Sequence, residues 1–187
     1  ASIAAQTIVL TPGGQPQTAT IVQPPFRFRY WPDLNPAGDN ATKAVTGYEI
    51  PEYLWFGPNG EVQNPVTGET ARFQRAIPVG ASSTTNRLSI PAGTRRFDLN
   101  IAADDFYSFA LDRIPANQTT PIPIMTGNQG TGITAPTWRN VKLFESTSIT
   151  LVAGDTVVLT VDVRNNPRTG GTPENNPAML TWSMFVF

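Results

Sequence analysis

Two adjacent carboxylates, Asp104 and Asp105, stand between apolar runs in "NIAADDFYSFALD", residues 100–112. Such a pair suits three kinds of chemistry: acid–base hydrolysis, coordination of a hard cation, or the closing of a turn. A glycosidase needs two carboxylates about 5–10 Å apart and aimed at one bond. Neighbouring residues on a strand face opposite ways, so adjacency works against convergence. The other acidic side chains weighed for that role are Glu49, Glu52, Glu145, Asp155 and Asp162, and no spacing among them marks a pair. Calcium takes carboxylate and carbonyl oxygens from loops, which makes it the better functional reading of Asp104 and Asp105. No DxDxDG-type run accompanies them. The favoured reading is a turn, because an Asp side chain bonds readily to nearby backbone N–H groups.

Other chemistries are closed by composition. The chain has neither histidine nor cysteine. Ser-His-Asp and Cys-His nucleophiles, His- or Cys-ligated metals and disulfides are therefore excluded. No enzymatic activity and no cofactor beyond a structural calcium is expected. Net charge is −1, and Arg95-Arg96 is the longest basic run, so the electrostatic footprint of a nucleic-acid binder is missing. No apolar run approaches the ~20 residues that span a bilayer. The glycine-rich stretches "GNQGTG" and "TGG" lack the strand–loop–helix setting of a phosphate cradle. Sugar binding would need exposed aromatic rings beside polar groups. Tyr107 and Trp138 are the candidate glycan contacts, with Trp31, Tyr53 and Trp55 also considered. All five lie in alternating apolar patterns that suit a core equally well. Sequons at Asn40 and Asn117 are candidate N-glycosylation acceptors.

These residues need a scaffold, and the periodicity says which. Alternation with period two runs through most of the chain, and helical periodicity is nearly absent. "ARFQRAIPV" sets Phe73, Arg75, Ile77 and Val79 against Arg72 and Gln74. "RRFDLNIAA" sets Phe97, Leu99 and Ile101 against Asp98 and Asn100, and "FYSFALD" aligns Tyr107, Phe109 and Leu111. In "SITLVAGDTVVLTVDVRN" an Ala-Gly-Asp turn precedes a strand with Val157, Leu159, Val161 and Val163 on one face. "AMLTWSMFVF" is apolar on both faces and so belongs in the middle of a sheet or under a cover. The expected fold is all-β: one antiparallel, jelly-roll-like sandwich over residues 1–187, with about 8–10 strands.

From "FQRAIPV" onward, the order "FDLNIAADD", "FYSFALD", "GDTVVLTVDVRN", "AMLTWSMFVF" resembles the galactose-binding-domain-like jelly rolls of secreted bacterial surface proteins. The resemblance covers residues 71–187. It implies that the Ala-Asp-Asp segment joins two adjacent strands, and that structural calcium occurs in some members. One departure stands out: Asp112-Arg113 occupies the place where such domains carry Asn-Gly, so the following hairpin must turn differently.

Charged residues make up only 14% of the chain, against roughly 25% in typical soluble domains. Lysine occurs only at Lys43 and Lys142. So weakly charged a surface suits burial in an assembly of copies of the chain. "ASIAAQTIVL", ahead of a Pro-Gly-Gly break, reads as a strand over residues 1–14 that lies at an edge or is donated to a neighbour, with Ile3, Thr7, Ile8, Val9 and Leu10 making the contacts. A start at Ala1 fits removal of the initiator Met or of a signal peptide. The expectation is a non-catalytic, extracellular or cell-surface subunit of a filament, sheath or surface layer. Two alternatives stand beside it. One is a carbohydrate-binding module using the loops near 104–106, 127–138 and 165–177. The other is a viral jelly-roll capsid or spike subunit.

Overall fold

The computed structural model describes residues 8–10, 17–18, 20–21, 54–55, 64–80, 89–129, 141–172 and 178–187. Ile3, Thr7, Asn40 and Trp138, the contact and glycosylation candidates named above, lie outside these residues. Fourteen strands and no helix occur among the described residues. The short strands are β1 (Ile8–Leu10), β2 (Gln17–Thr18), β3 (Thr20–Ile21), β4 (Leu54–Trp55), β6 (Ile90–Pro91), β7 (Gly93–Arg95) and β12 (Ile149–Leu151). The longer ones are β5 (Glu69–Gly80), β8 (Phe97–Asp104), β9 (Phe106–Ile114), β10 (Ile122–Gln129), β11 (Lys142–Glu145), β13 (Thr156–Asn165) and β14 (Met179–Val186). The count exceeds the expected 8–10 because half of the strands are only two or three residues long.

The architecture is a β-sandwich. One sheet runs β10-β9-β13-β5-β1-β2, with β6 joined in parallel to β5. The other runs β11-β8-β14-β4-β3, and β12 pairs with β7 in a small ribbon. β13 is the spine of the larger sheet. It pairs antiparallel with β5 from Thr156↔Pro78 to Asn165↔Glu69, and with β9 from Thr156↔Ile114 to Arg164↔Phe106. β14, apolar on both faces, sits between β8 and β4 as its composition requires.

Alternation decides which side chains enter the core. Phe73, Ile77 and Val79 of β5, Tyr107, Phe109 and Leu111 of β9, and Val157, Leu159, Val161 and Val163 of β13 are all buried. Phe97, Leu99 and Ile101 of β8 meet them from the opposite sheet, with Leu180 and Trp182 of β14. Arg75 shares the inward side with Phe73 and Ile77. Its guanidinium lies 5.6 Å from the centre of the Trp182 ring. β8 is also buried on its other side, at Asn100, Ala102 and Asp104.

The sandwich closes at the β10 and β11 edges. Phe144 of β11 packs edge-on against Phe109, with centroids 4.7 Å apart, and against Tyr107 at 6.5 Å. Such a ring pair contributes about 1 kcal/mol beyond its buried area. Gly127 of β10 makes this approach possible. A Cβ there would lie 2.6 Å from atoms of both the Phe109 and the Phe144 ring.

The N-terminal strand pairs within the chain's own sheet. Ile8, Val9 and Leu10 stand opposite Gln74, Phe73 and Arg72 of β5, and β2 lies on the outer side of β1. Residues 8–10 are therefore an interior strand of the sheet.

Candidate functional site

Asp104 and Asp105 occupy the turn between β8 and β9. Asp104 is buried. The Asp105 carboxylate accepts a hydrogen bond from the Asn166 N–H at 2.9 Å, and the Asp105 N–H donates to the Arg164 carbonyl at 3.0 Å. The pair thus ties the β8–β9 turn to the chain leaving β13. Of the three loops expected to form a ligand site, 104–106 and the start of 165–177 are joined by these bonds. Arg168 N–H and Gly68 N–H donate to the Pro65 and Asn64 carbonyls nearby, which ties residues 64–68 to the same end of the sandwich. No group of three or more acidic side chains that could hold a metal occurs among the described residues.

Tyr107 is only 3% exposed. Its hydroxyl donates to Gln129 Oε1 at 2.9 Å, and burial pushes the phenol well above its ordinary pKa. With its ring in the core against Phe144, it offers no face to a sugar. Trp55 is likewise buried, donating from Nε1 to Glu69 Oε2 at 3.1 Å. Asn117 stands exposed in the β9–β10 turn with φ of 62°, where Gln118 N–H closes onto the Pro115 carbonyl. β9 runs straight through Asp112-Arg113 before that turn, which accounts for the missing Asn-Gly.

Asp155, weighed as an acid–base candidate, is a structural clamp. Its carboxylate accepts from Arg113 Nε at 2.6 Å, Val152 N–H at 2.8 Å and Ala116 N–H at 3.2 Å. Burial alone would raise its pKa, but the hydrogen bonds and the adjacent guanidinium outweigh burial and hold it below the usual carboxylate range.

The chemistry left over lies on the outer face of the large sheet. Cross-strand partners share a face, so the pairing registers assemble rows of side chains there. The first row is Asn128 of β10, Ser108 of β9, Asp162 of β13 and Arg72 of β5. The second is Thr126, Ala110, Thr160 and Gln74. Within them Arg72 holds Asp162 through two bonds of 2.7 and 2.9 Å, and Gln74 Nε2 donates to Thr160 Oγ1 at 3.2 Å. The ion pair is exposed and adds at most about 1 kcal/mol to stability. Its larger effect is to fix the direction of the groups beside it.

The third row changes character: Pro123, Asp112, Val158 and Ala76. Beyond it lie Ile114, Thr156 and Pro78. Val158, although it faces outward, is only 9% exposed. Asp112 is half-buried, and its carboxylate makes no hydrogen bond or ion pair within the described residues. Burial among these apolar neighbours raises its pKa above the ordinary carboxylate value.

The sequence shows Arg72, Gln74, Thr160 and Asp162 only as an ordinary solvent-facing set. Their register as a single band across β5 and β13, continued by Ser108 on β9 and by Thr126 and Asn128 on β10, appears only once β13 is placed between β5 and β9.

No protein-family model matches this chain, and no curated protein matches it. Among solved structures, TmCBM61 in complex with β-1,4-galactotriose is similar over 79% of this chain and 77% of its own, with 13% identity and a TM-score of 0.42. A PA14 sugar-binding domain from an RTX adhesin is similar over 98% of this chain and 90% of its own, with 10% identity and a TM-score of 0.32.

Proposed function

We propose that this chain is a non-catalytic carbohydrate-binding β-sandwich whose ligand lies on the outer face of the large sheet. The observation that carries the reading is the register of hydrogen-bonding side chains across β10, β9, β13 and β5, next to a row in which the apolar Pro123, Val158 and Ala76 flank Asp112. A sugar presents both characters, hydroxyl edges and C–H faces, and binding sites for small ligands pair apolar lining with a few fixed polar groups. The cation in the band, Arg72, is neutralised by Asp162. A neutral ligand therefore meets no unbalanced charge across these two rows. The protein would act outside the cell, where glycan surfaces are displayed.

The test is affinity electrophoresis through gels containing galactan, mannan, β-glucan or xylan. Wild type should be retarded by at least one of them. The double variant Gln74→Ala/Thr160→Ala should run freely in that gel while keeping its far-ultraviolet spectrum. Free migration of wild type in all four would refute the reading.

A second reading, assembly of copies of the chain, is favoured by β10. Among the described residues this eight-residue strand ends the large sheet, and it carries no charged side chain. Unpaired edges of this kind are templates for strand addition, and charge is the usual protection against it. Sedimentation over a hundredfold range of concentration separates the two readings, since assembly requires a rise in mass.

A further inference from the structure

Most described carboxylates have an evident structural use. Asp155 closes the clamp with Arg113, Asp162 holds Arg72, Asp98 meets Arg96, Glu69 receives Trp55, and Asp105 receives Asn166. Glu145 stands exposed on the β11 edge. Asp112 differs from all of them. It is half-buried, it has no partner among the described residues, and its face neighbours are Ala110 and Ile114 along β9, Pro123 on β10 and Val158 on β13. Burying a carboxylate without a partner works against folding. Residues that cost stability at a surface facing solvent are the ones to suspect of binding.

We infer that Asp112 anchors a neutral sugar on this face: its two oxygens accept hydrogen bonds from adjacent hydroxyls, and the ring's C–H surface lies over Val158 and Ala76. This rests on the glycan reading above and adds a residue and a ligand class to it. An ionised carboxylate accepts hydrogen bonds and donates none, so it matches a vicinal diol and repels a second carboxylate. Uronic acids and other acidic sugars are therefore excluded at this position.

The spacing fits the chemistry. Thr160 is two residues along β13 from Val158, the partner of Asp112, which is about 7 Å along the strand and one strand spacing of about 4.8 Å across. Gln74 is one strand further. One sugar or two linked ones can reach from Asp112 to the Gln74–Thr160 pair. The raised pKa of Asp112 agrees with an acceptor that the fold itself leaves unsatisfied.

The experiment uses the neutral gels above with two acidic ones, polygalacturonate and alginate, at pH 7.5. It compares wild type, Asp112→Asn, Asp112→Ala and Gln74→Ala/Thr160→Ala, with thermal melts to establish that each is folded. The expected result is retention of wild type in a neutral gel and not in the acidic ones. Both Asp112 variants should bind about tenfold or more weakly, the loss for a charge-assisted hydrogen bond, with melting points no lower than wild type. Equal retention of wild type and Asp112→Asn, with Gln74→Ala/Thr160→Ala weakened, would overturn the role of Asp112 and leave the glycan face standing. Wild type held equally by the acidic gels would overturn the charge selection. No retention anywhere would overturn both.

Discussion

Arg113 and Asp155 are joined by a 2.6 Å ion pair in which the carboxylate is 2% exposed and the guanidinium stem only partly so. The same carboxylate caps two backbone N–H groups, from the turn after β12 and the turn after β9. The Asp155 carbonyl also accepts from Val79 N–H at the end of β5. Three strands are thus held at one point. Asp155→Asn is expected to lose about 3 kcal/mol, the usual effect of removing one partner of a buried, hydrogen-bonded pair. Urea denaturation measures it, and a change below about 0.5 kcal/mol, the range of ordinary surface substitutions, would remove Asp155 from this role.

The same residue sets part of the acid stability. Its folded pKa is depressed, so its contribution is fully present above the unfolded carboxylate value of about 4 and is lost as pH falls through the folded value. The melting point of wild type should fall between neutral pH and pH 3, and the Asp155→Asn curve should be flatter over that window. Parallel curves would contradict the assignment.

Asp112 carries the opposite sign. A carboxylate whose folded pKa is raised adds nothing to stability while it is protonated in both states and disfavours the fold as pH rises and it ionises. Asp112→Asn should therefore melt at or slightly above wild type at pH 7.5, and the difference should vanish as pH falls towards 4. A clear loss of stability at pH 7.5 would mean that the carboxylate is satisfied in the fold.

Gly127→Ala tests the closing edge. The added methyl would meet the Phe109 and Phe144 rings at 2.6 Å, and those rings are already in edge-on contact. A loss of about 1–3 kcal/mol is expected, the usual effect of overpacking. Differential scanning calorimetry gives the value directly.

Trp55→Phe keeps the ring in the core and removes the donor to Glu69, whose other oxygen receives the Asn64 N–H at 2.7 Å. Leaving a buried carboxylate oxygen short of one bond should cost about 1–3 kcal/mol. The companion Glu69→Gln should recover less than wild type, since only one of its two terminal atoms can accept.

The strand faces were legible because alternation needs no knowledge of partners. Val157, Leu159, Val161 and Val163 separate cleanly from Thr160, Asp162 and Arg164 in the sequence and in the sheet. The turn at Asp104-Asp105 was legible for the same local reason, since Asp bonding to backbone N–H groups is short-range chemistry. The candidate site was not legible. Asp112 looks like one residue of a strand end, and its apolar surroundings come in part from Pro123 and Val158 on two other strands. The aromatic residues misled in the other direction. Tyr107 has the composition of a sugar contact, but the Phe144 ring and Gln129 enclose it. The burial of Asn100, Ala102 and Asp104 on the far side of β8 also has no signature in the local pattern.

The placement of β13 between β5 and β9 governs how the chain is made. β5 ends at Gly80 and its long partner begins at Thr156. A ribosome adding about 5–20 residues per second leaves β5 waiting for roughly 4–15 s before that partner exists. Through this interval Phe73, Ile77 and Val79 have no β13 to cover their edge. The large sheet can be completed only after Asn165, at the end of β13, has emerged. Synthesis rate and chaperone supply, more than the final stability, should then limit the yield of folded protein.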